Sequence, residues 1–301
     1  MNPNRPTGAP DPAAIDGNRP LLKKEIGAFL ALAALWSLGV SLAMIAGLSE
    51  EVPRGDAQAV DRALGGLTML YGFGPFVAAL AVTAAWRGRA GLVSLFRRVV
   101  TWRVSPMWYL AALVVPLIPQ WAGLAAWGWA TGAHWSAPAP GVYLLSWLQI
   151  ALISAVYFIS EELGWRGFLL PRVLANRGWI SSAIVVGVIW AVWHYPYWII
   201  SSWAMESPWP DIALSTLASS VRAVSLSILI TWMIRPASGS VLIAMLFHGS
   251  NNANFGKMFE AAGPSALDGA TFLAIQAASA LLTALGVMAV ARRGRRIPSG
   301  P

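Results

Sequence analysis

Eight apolar runs, each long enough to cross a bilayer, constrain this chain more than any other feature. They fall at about 26–48, 67–86, 107–129, 142–170, 179–200, 212–234, 238–259 and 271–291 of 301 residues. A helix needs about 20 residues to traverse a hydrocarbon layer of ~30 Å, and in lipid only helices or closed barrels satisfy their own backbone. Composition agrees, with 57% hydrophobic residues against 11% charged, outside the range of soluble domains. The chain reads as an all-α polytopic membrane protein, a bundle of about eight transmembrane helices.

A net charge of +8 would point a soluble protein toward nucleic acid, so the placement of the basic residues decides their meaning. They alternate between loops. Arg19, Lys23 and Lys24, then Arg87, Arg89, Arg97, Arg98 and Arg103, then Arg172 and Arg177, then Arg235, then Arg292, Arg293, Arg295 and Arg296 all fall on one side. The other loops hold Glu50, Glu51, Asp56 and Asp61 against Arg54 and Arg62, then an uncharged stretch with His134, then Glu206 and Asp211, then Glu260 and Asp268 against Lys257. The positive-inside rule puts both termini in the cytoplasm of a multi-pass plasma-membrane protein. The bilayer is then the partner of the charges, and nucleic acid is not.

Residues 1–24, rich in Pro, Asn, Asp and Gly, read as a disordered cytoplasmic tail, and 293–301 as a basic tail. The first apolar run is too long for a cleavable signal peptide. Between the second and third helices, 91–104 spaces apolar residues helically with arginines between them, the pattern of an amphipathic helix lying in the interface. Without cysteine, disulfide, thiolate-metal and cysteine-nucleophile chemistry are excluded.

The fourth run contains S-E-E-L-G-W-R-G-F-L-L-P over 160–171. Ionisable side chains inside a span are rare, face the bundle interior and are functional candidates by default. Glu161 and Glu162 are adjacent and diverge by about 100° on a helix. Arg166 follows Glu162 by four residues, the spacing of an intrahelical ion pair. Glu162 with Arg166 therefore reads as a supporting pair and Glu161 as the available carboxylate. His194, His248 and Asn252 lie at comparable distances along two other helices, which brings all four groups to a common depth of roughly 15 to 24 Å at ~1.5 Å per residue. A carboxylate beside a histidine can deprotonate water, and a second histidine with an amide can donate to an oxyanion.

At these residues the sequence resembles the type II CAAX prenyl protease family of intramembrane endopeptidases, also called the CPBP or abortive-infection family. The three motifs are Glu161, Glu162 and Arg166; Trp190 to His194; and His248 to Asn252. Trp190 stands where the family has phenylalanine, an aromatic exchange that bears on packing rather than chemistry. The resemblance covers about 142–259 and implies a transmembrane protease domain within 25–292. It implies Glu161 as general base, His194 positioning water, and His248 with Asn252 stabilising the oxyanion. The expected substrate is a membrane-embedded or lipidated peptide or protein, and no cofactor is expected.

Blander accounts exist for each group. A buried ion cluster would explain Glu161, Glu162 and Arg166 alone, and interhelical hydrogen bonding would explain either histidine. Pro196, two residues past His194, marks a kink. Arg222, mid-span in the sixth helix, reads as a further partner of Glu162 or as a snorkelling side chain. Zinc held by Glu161, His194 and His248 is the alternative chemistry. A non-catalytic binding, immunity or transport module is the alternative class.

Overall fold

The computed structural model describes residues 19–48, 52–132, 140–262 and 266–293. Among these there is no strand. The helices are α1 (Arg19–Gly47), α2 (Ala57–Gly72), α3 (Gly74–Val99), α4 (Pro106–Val114), α5 (Leu117–Thr131) and α6 (Pro140–Tyr157). Then follow α7 (Ile159–Glu162), a π-helical turn (Leu163–Leu169), α8 (Leu170–Leu174), α9 (Trp179–Ala204), α10 (Trp209–Ile234), α11 (Val241–Ala262) and α12 (Ala266–Arg293). Residues 1–18 and 294–301 of the two expected tails, Glu50, Glu51 and His134 lie outside the described residues. The other end of the N-terminal tail departs from expectation: α1 begins at Arg19 with Pro20 in its first turn, where the missing N–H costs nothing.

Seven segments among the described residues are long and apolar enough to cross a membrane, and the chain is a multi-pass membrane protein. The expected run absent from these seven is the seventh, 238–259, which corresponds to α11, a 22-residue helix. Its His248, Ser250, Asn251, Asn252 and Asn254 lower its hydropathy, and four of these five are buried against neighbouring helices. The bundle's outer faces carry exposed leucines such as Leu35, Leu38 and Leu42 on α1, as a lipid-facing surface requires.

Three expected runs are subdivided. The second is split between α2 and α3 at Phe73, just before Pro75, and the third between α4 and α5 at Val115 and Pro116, because proline cannot continue an intrahelical ladder. The stretch before Arg89 turns at Gly88, whose φ of 55° and ψ of −156° suit glycine alone. That turn separates the spanning part of α3 from the arginine-rich part expected at the interface. At Pro196, where a kink is expected, α9 continues as one helix from Trp179 to Ala204 with the proline inside it.

The fourth run is interrupted at Phe158 and again by the π turn. Pro171 follows that turn, and in a regular α-helix its ring would meet the Gly167 carbonyl. Leu170 instead donates to Trp165 O, five residues back. Such wide turns concentrate at functional sites, and this one carries Arg166.

Around it, α7 and the π turn pack on α3 and α11, while α10 packs on α9 and α12 and α11 packs on α6. One end is tied by the fully buried Glu25 of α1. It accepts Arg87 Nε of α3 at 2.6 Å and Arg172 Nε of α8 at 2.9 Å. Both arginines count among the orientation-setting charges of the sequence, and both also close an ion triad. At α11, a Cβ on Gly249 would lie 2.4 Å from Ala151 O and 2.8 Å from Ala155 N, backbone atoms that cannot turn aside. Gly249→Ala is therefore expected to destabilise the fold by about 1–3 kcal/mol, seen as a lower Tm in detergent. An unchanged Tm would show that α6 and α11 are free to separate there.

Candidate active site

The break at Phe158 starts a new helical turn, α7, that buries Ser160, Glu161 and Glu162 together. Being adjacent, the two carboxylates face different neighbours. Glu162, with no exposed surface, uses Oε1 to accept Arg166 Nη1 and His248 Nδ1, both at 2.9 Å. Its Oε2, and Nε and Nη2 of Arg166, are buried without a protein partner. Phe158 stacks on the His248 ring with centroids 3.7 Å apart. The imidazole is thus fixed by a carboxylate at one edge and an aromatic face, a supporting contact of the kind that orients functional histidines. With Nδ1–H committed to Glu162, the reactive edge of His248 is Nε2.

Glu161 Oε2 accepts Trp190 Nε1 at 2.8 Å. No donor among the described residues reaches its Oε1, and the residue keeps 6% of its surface exposed. His194, one turn beyond Trp190 on α9, meets the Trp190 backbone carbonyl through Nδ1 at 2.9 Å. A carbonyl only accepts, so Nδ1 carries the proton and Nε2 is left free. The His194 ring stacks on Trp198 at 5.0 Å. Trp190 is the hub: its ring lies 5.6 Å from His194, 5.3 Å from His248 and 4.4 Å from the Arg166 guanidinium. Glu161 and His248 are both within electrostatic reach of His194.

The orientation of Asn252 is set by a chain of amides. Arg222 Nη2 and Gln120 Nε2 donate to Asn251 Oδ1 at 3.2 and 2.8 Å, and Asn251 Nδ2 donates to Asn252 Oδ1 at 2.8 Å. Because guanidinium can only donate, Asn251 must present oxygen to Arg222 and nitrogen to Asn252. The free end of Asn252 is then its NH2. Gln120 is held in turn by Asn254, and Asn254 by Tyr143, so α5, α6 and α11 share one polar network.

A cavity of about 360 Å³ is walled by Trp190, His194, Arg222, His248, Asn251 and Asn252 among others. Glu161 is not part of that wall; its partner Trp190 is. The structure therefore brings His194, His248 and Asn252 to one space and places Glu161 one hydrogen bond from its edge. Glu162 meets Arg166 at the expected spacing, and it also meets His248, a partner 86 residues away that local spacing could not reveal. Arg222 neither approaches Glu162 nor snorkels. Trp190 does more than pack, since its N–H engages a carboxylate in a way phenylalanine could not. Among the described residues, no three His, Cys, Asp or Glu side chains gather as a metal ligand set.

Three separate elements thus supply a carboxylate and two histidines around one tryptophan, with the Asn252 amide lining the same cavity. Residues 143–254 match the family described as type II CAAX prenyl endopeptidase Rce1-like. CAAX prenyl protease 2 of Methanococcus maripaludis is 26% identical over 107 residues. The aligned part is 36% of this chain and 38% of that protein, so the likeness spans under two-fifths of either. The Rce1-like segment holds Glu161, Glu162, Arg166, Trp190, His194, His248 and Asn252. It also holds Tyr143, Arg222, Asn251 and Asn254, but it excludes Gln120, which reaches into the same network from α5. Of the residues missed in the sequence, Gln120 had a signal: an amide within an otherwise apolar run needs a partner.

Proposed function

We propose that this chain is a CAAX-protease-like intramembrane endopeptidase that hydrolyses a peptide bond of a membrane-associated peptide or protein. The observation that carries the reading is the convergence of Glu161, His194 and His248 on Trp190 beside a cavity that Asn252 also lines. Of the two carboxylates, Glu162 already accepts two donors through one oxygen, whereas Glu161 accepts one neutral N–H and keeps Oε1 open. Glu161 is the general base. Water positioned by His194 Nε2 attacks the carbonyl carbon while Glu161 takes its proton. The oxyanion is stabilised by Asn252 NH2 and, in the imidazolium form, by His248 Nε2–H. Collapse breaks the C–N bond, and the proton passes to the leaving amine. Hydrolysis needs no cofactor in this scheme. The basic loops support cytoplasmic termini in a plasma membrane.

The test is cleavage of a membrane-peptide library by purified protein in vesicles, with and without chelator. Turnover that survives chelation supports the scheme. Loss restored by zinc replaces it with the metal alternative, and no turnover with any peptide favours a non-catalytic module. Trp190→Phe keeps the aromatic ring and deletes the donor to Glu161. Hydrogen bonds to charged groups contribute about 1.5–3 kcal/mol to stability, so Tm is expected to fall with the lost bond, and kcat measured well below the transition is expected to fall roughly tenfold or more as Glu161 loses the donor that orients it. A kcat equal to the parent's would return Trp190 to a packing role.

A further inference from the structure

Arg222 is the charge that the hydrolytic scheme leaves without a task. It lies near the middle of the 26-residue α10 and remains protonated at any physiological pH. Its contacts are one hydrogen bond, to Asn251 Oδ1, and the face of Phe255 at 4.2 Å from the guanidinium carbon. No carboxylate among the described residues pairs with it. Three arginines packed in the bundle contrast with it: Arg166 meets Glu162, and Arg87 and Arg172 meet Glu25. A guanidinium carries five N–H donors, and those not used on Asn251 border the same cavity as His194, His248 and Asn252. An ionised side chain within a span is retained where it faces a partner or a polar cavity.

The chemistry of a guanidinium selects the ligand, since its planar fork matches the two oxygens of a carboxylate. We propose that Arg222 is an anion-binding subsite of this cavity that takes a carboxylate of the bound peptide, supplied by its C-terminus or by an Asp or Glu side chain. That the ligand is a peptide rests on the endopeptidase reading. Asn251 holds the guanidinium on the wall and links it to Asn252, so a carboxylate seated on Arg222 positions the chain beside the oxyanion donors.

The experiment measures binding without turnover. Glu161→Gln protein in phosphatidylcholine nanodiscs is titrated with a labelled apolar peptide of about 20 residues ending in a carboxylate. The comparisons are its C-terminal amide and amide-ended versions bearing one internal Glu or Gln. At least a tenfold tighter Kd is expected for an acid form over its neutral twin, and which pair shows it identifies the carboxylate's source. The ratio should vanish in Arg222→Gln and persist in part in Arg222→Lys, which keeps the charge but not the fork. Should Arg222→Gln fail to fold, the acid-to-neutral ratio of the parent and the Lys variant decides. Equal Kd values for both pairs on the parent, or a ratio that survives in folded Arg222→Gln, overturns the subsite. So does a ratio erased by phosphatidylglycerol in the nanodisc, which would assign Arg222 to lipid phosphate. Cleavage is scored separately on the unmutated protein, so failure of the peptidase reading shows as absent turnover whatever the binding ratio.

Discussion

Replacing Glu161 by Gln is expected to lower kcat for membrane-peptide cleavage roughly 10²–10⁴-fold, the usual contribution of a general base, with Tm nearly unchanged. The two effects separate because the substituted amide keeps the shape of the side chain and a carbonyl oxygen to accept Trp190 Nε1. It lacks only the capacity to take a proton from water. Peptide binding should survive, which makes this variant a trap for the native substrate. Should the variant cleave as fast as the parent, the base lies elsewhere, and Glu162 becomes the next carboxylate to examine. A collapse of Tm together with activity would instead give Glu161 a structural role.

Glu162→Gln is expected to damage both stability and turnover. Arg166 is 1% exposed, and among the described residues its carboxylate hydrogen bond is to Glu162 alone. Removing one partner of a buried ion pair costs about 3–5 kcal/mol, large against a typical total stability of about 5–15 kcal/mol. Turnover should fall as well, because His248 Nδ1 loses the anion that holds it. A second substitution divides these effects. In Glu162→Gln with Arg166→Met the uncompensated buried charge is gone, which removes the largest part of that penalty. Tm should recover in the double variant while kcat stays low, since nothing restores the anchor of His248. Recovery of kcat along with Tm would reduce Glu162 to a counter-ion of Arg166.

Much of the architecture was readable from hydropathy, because a span demands about 20 consecutive apolar residues and no soluble element imitates that. What hydropathy misses is the interruptions. The splits at Phe73 and Val115 sit beside prolines, which could have been weighed more heavily. The π turn leaves no trace in apolar periodicity, since Leu163–Leu169 is buried throughout. Within the site, Arg166 and Glu162 were readable because an i, i+4 pair is a local relation. The bond between Glu162 and His248 was not, because it depends on how α7 and α11 pack. Trp190 shows a different failure. As an aromatic in an aromatic position it looked inert, yet a buried indole N–H needs an acceptor, and here the acceptor is Glu161. Arg222 was visible as an expensive mid-span charge, but only the folded chain shows that its neighbours are an amide and a ring.

Glu25 bears on where the folding unit ends. It lies far upstream of residues 143–254, yet it accepts Arg172, which stands just beyond the π turn that carries Arg166. A fragment cut to the matched segment would leave that guanidinium in the bundle without its anion. The registration of Arg166 against Glu162 would then lose its anchor about two helical turns away. A fragment of residues 143–254 is therefore expected to be less stable than the full chain, and the N-terminal helix to support the site although it contributes no reacting atom.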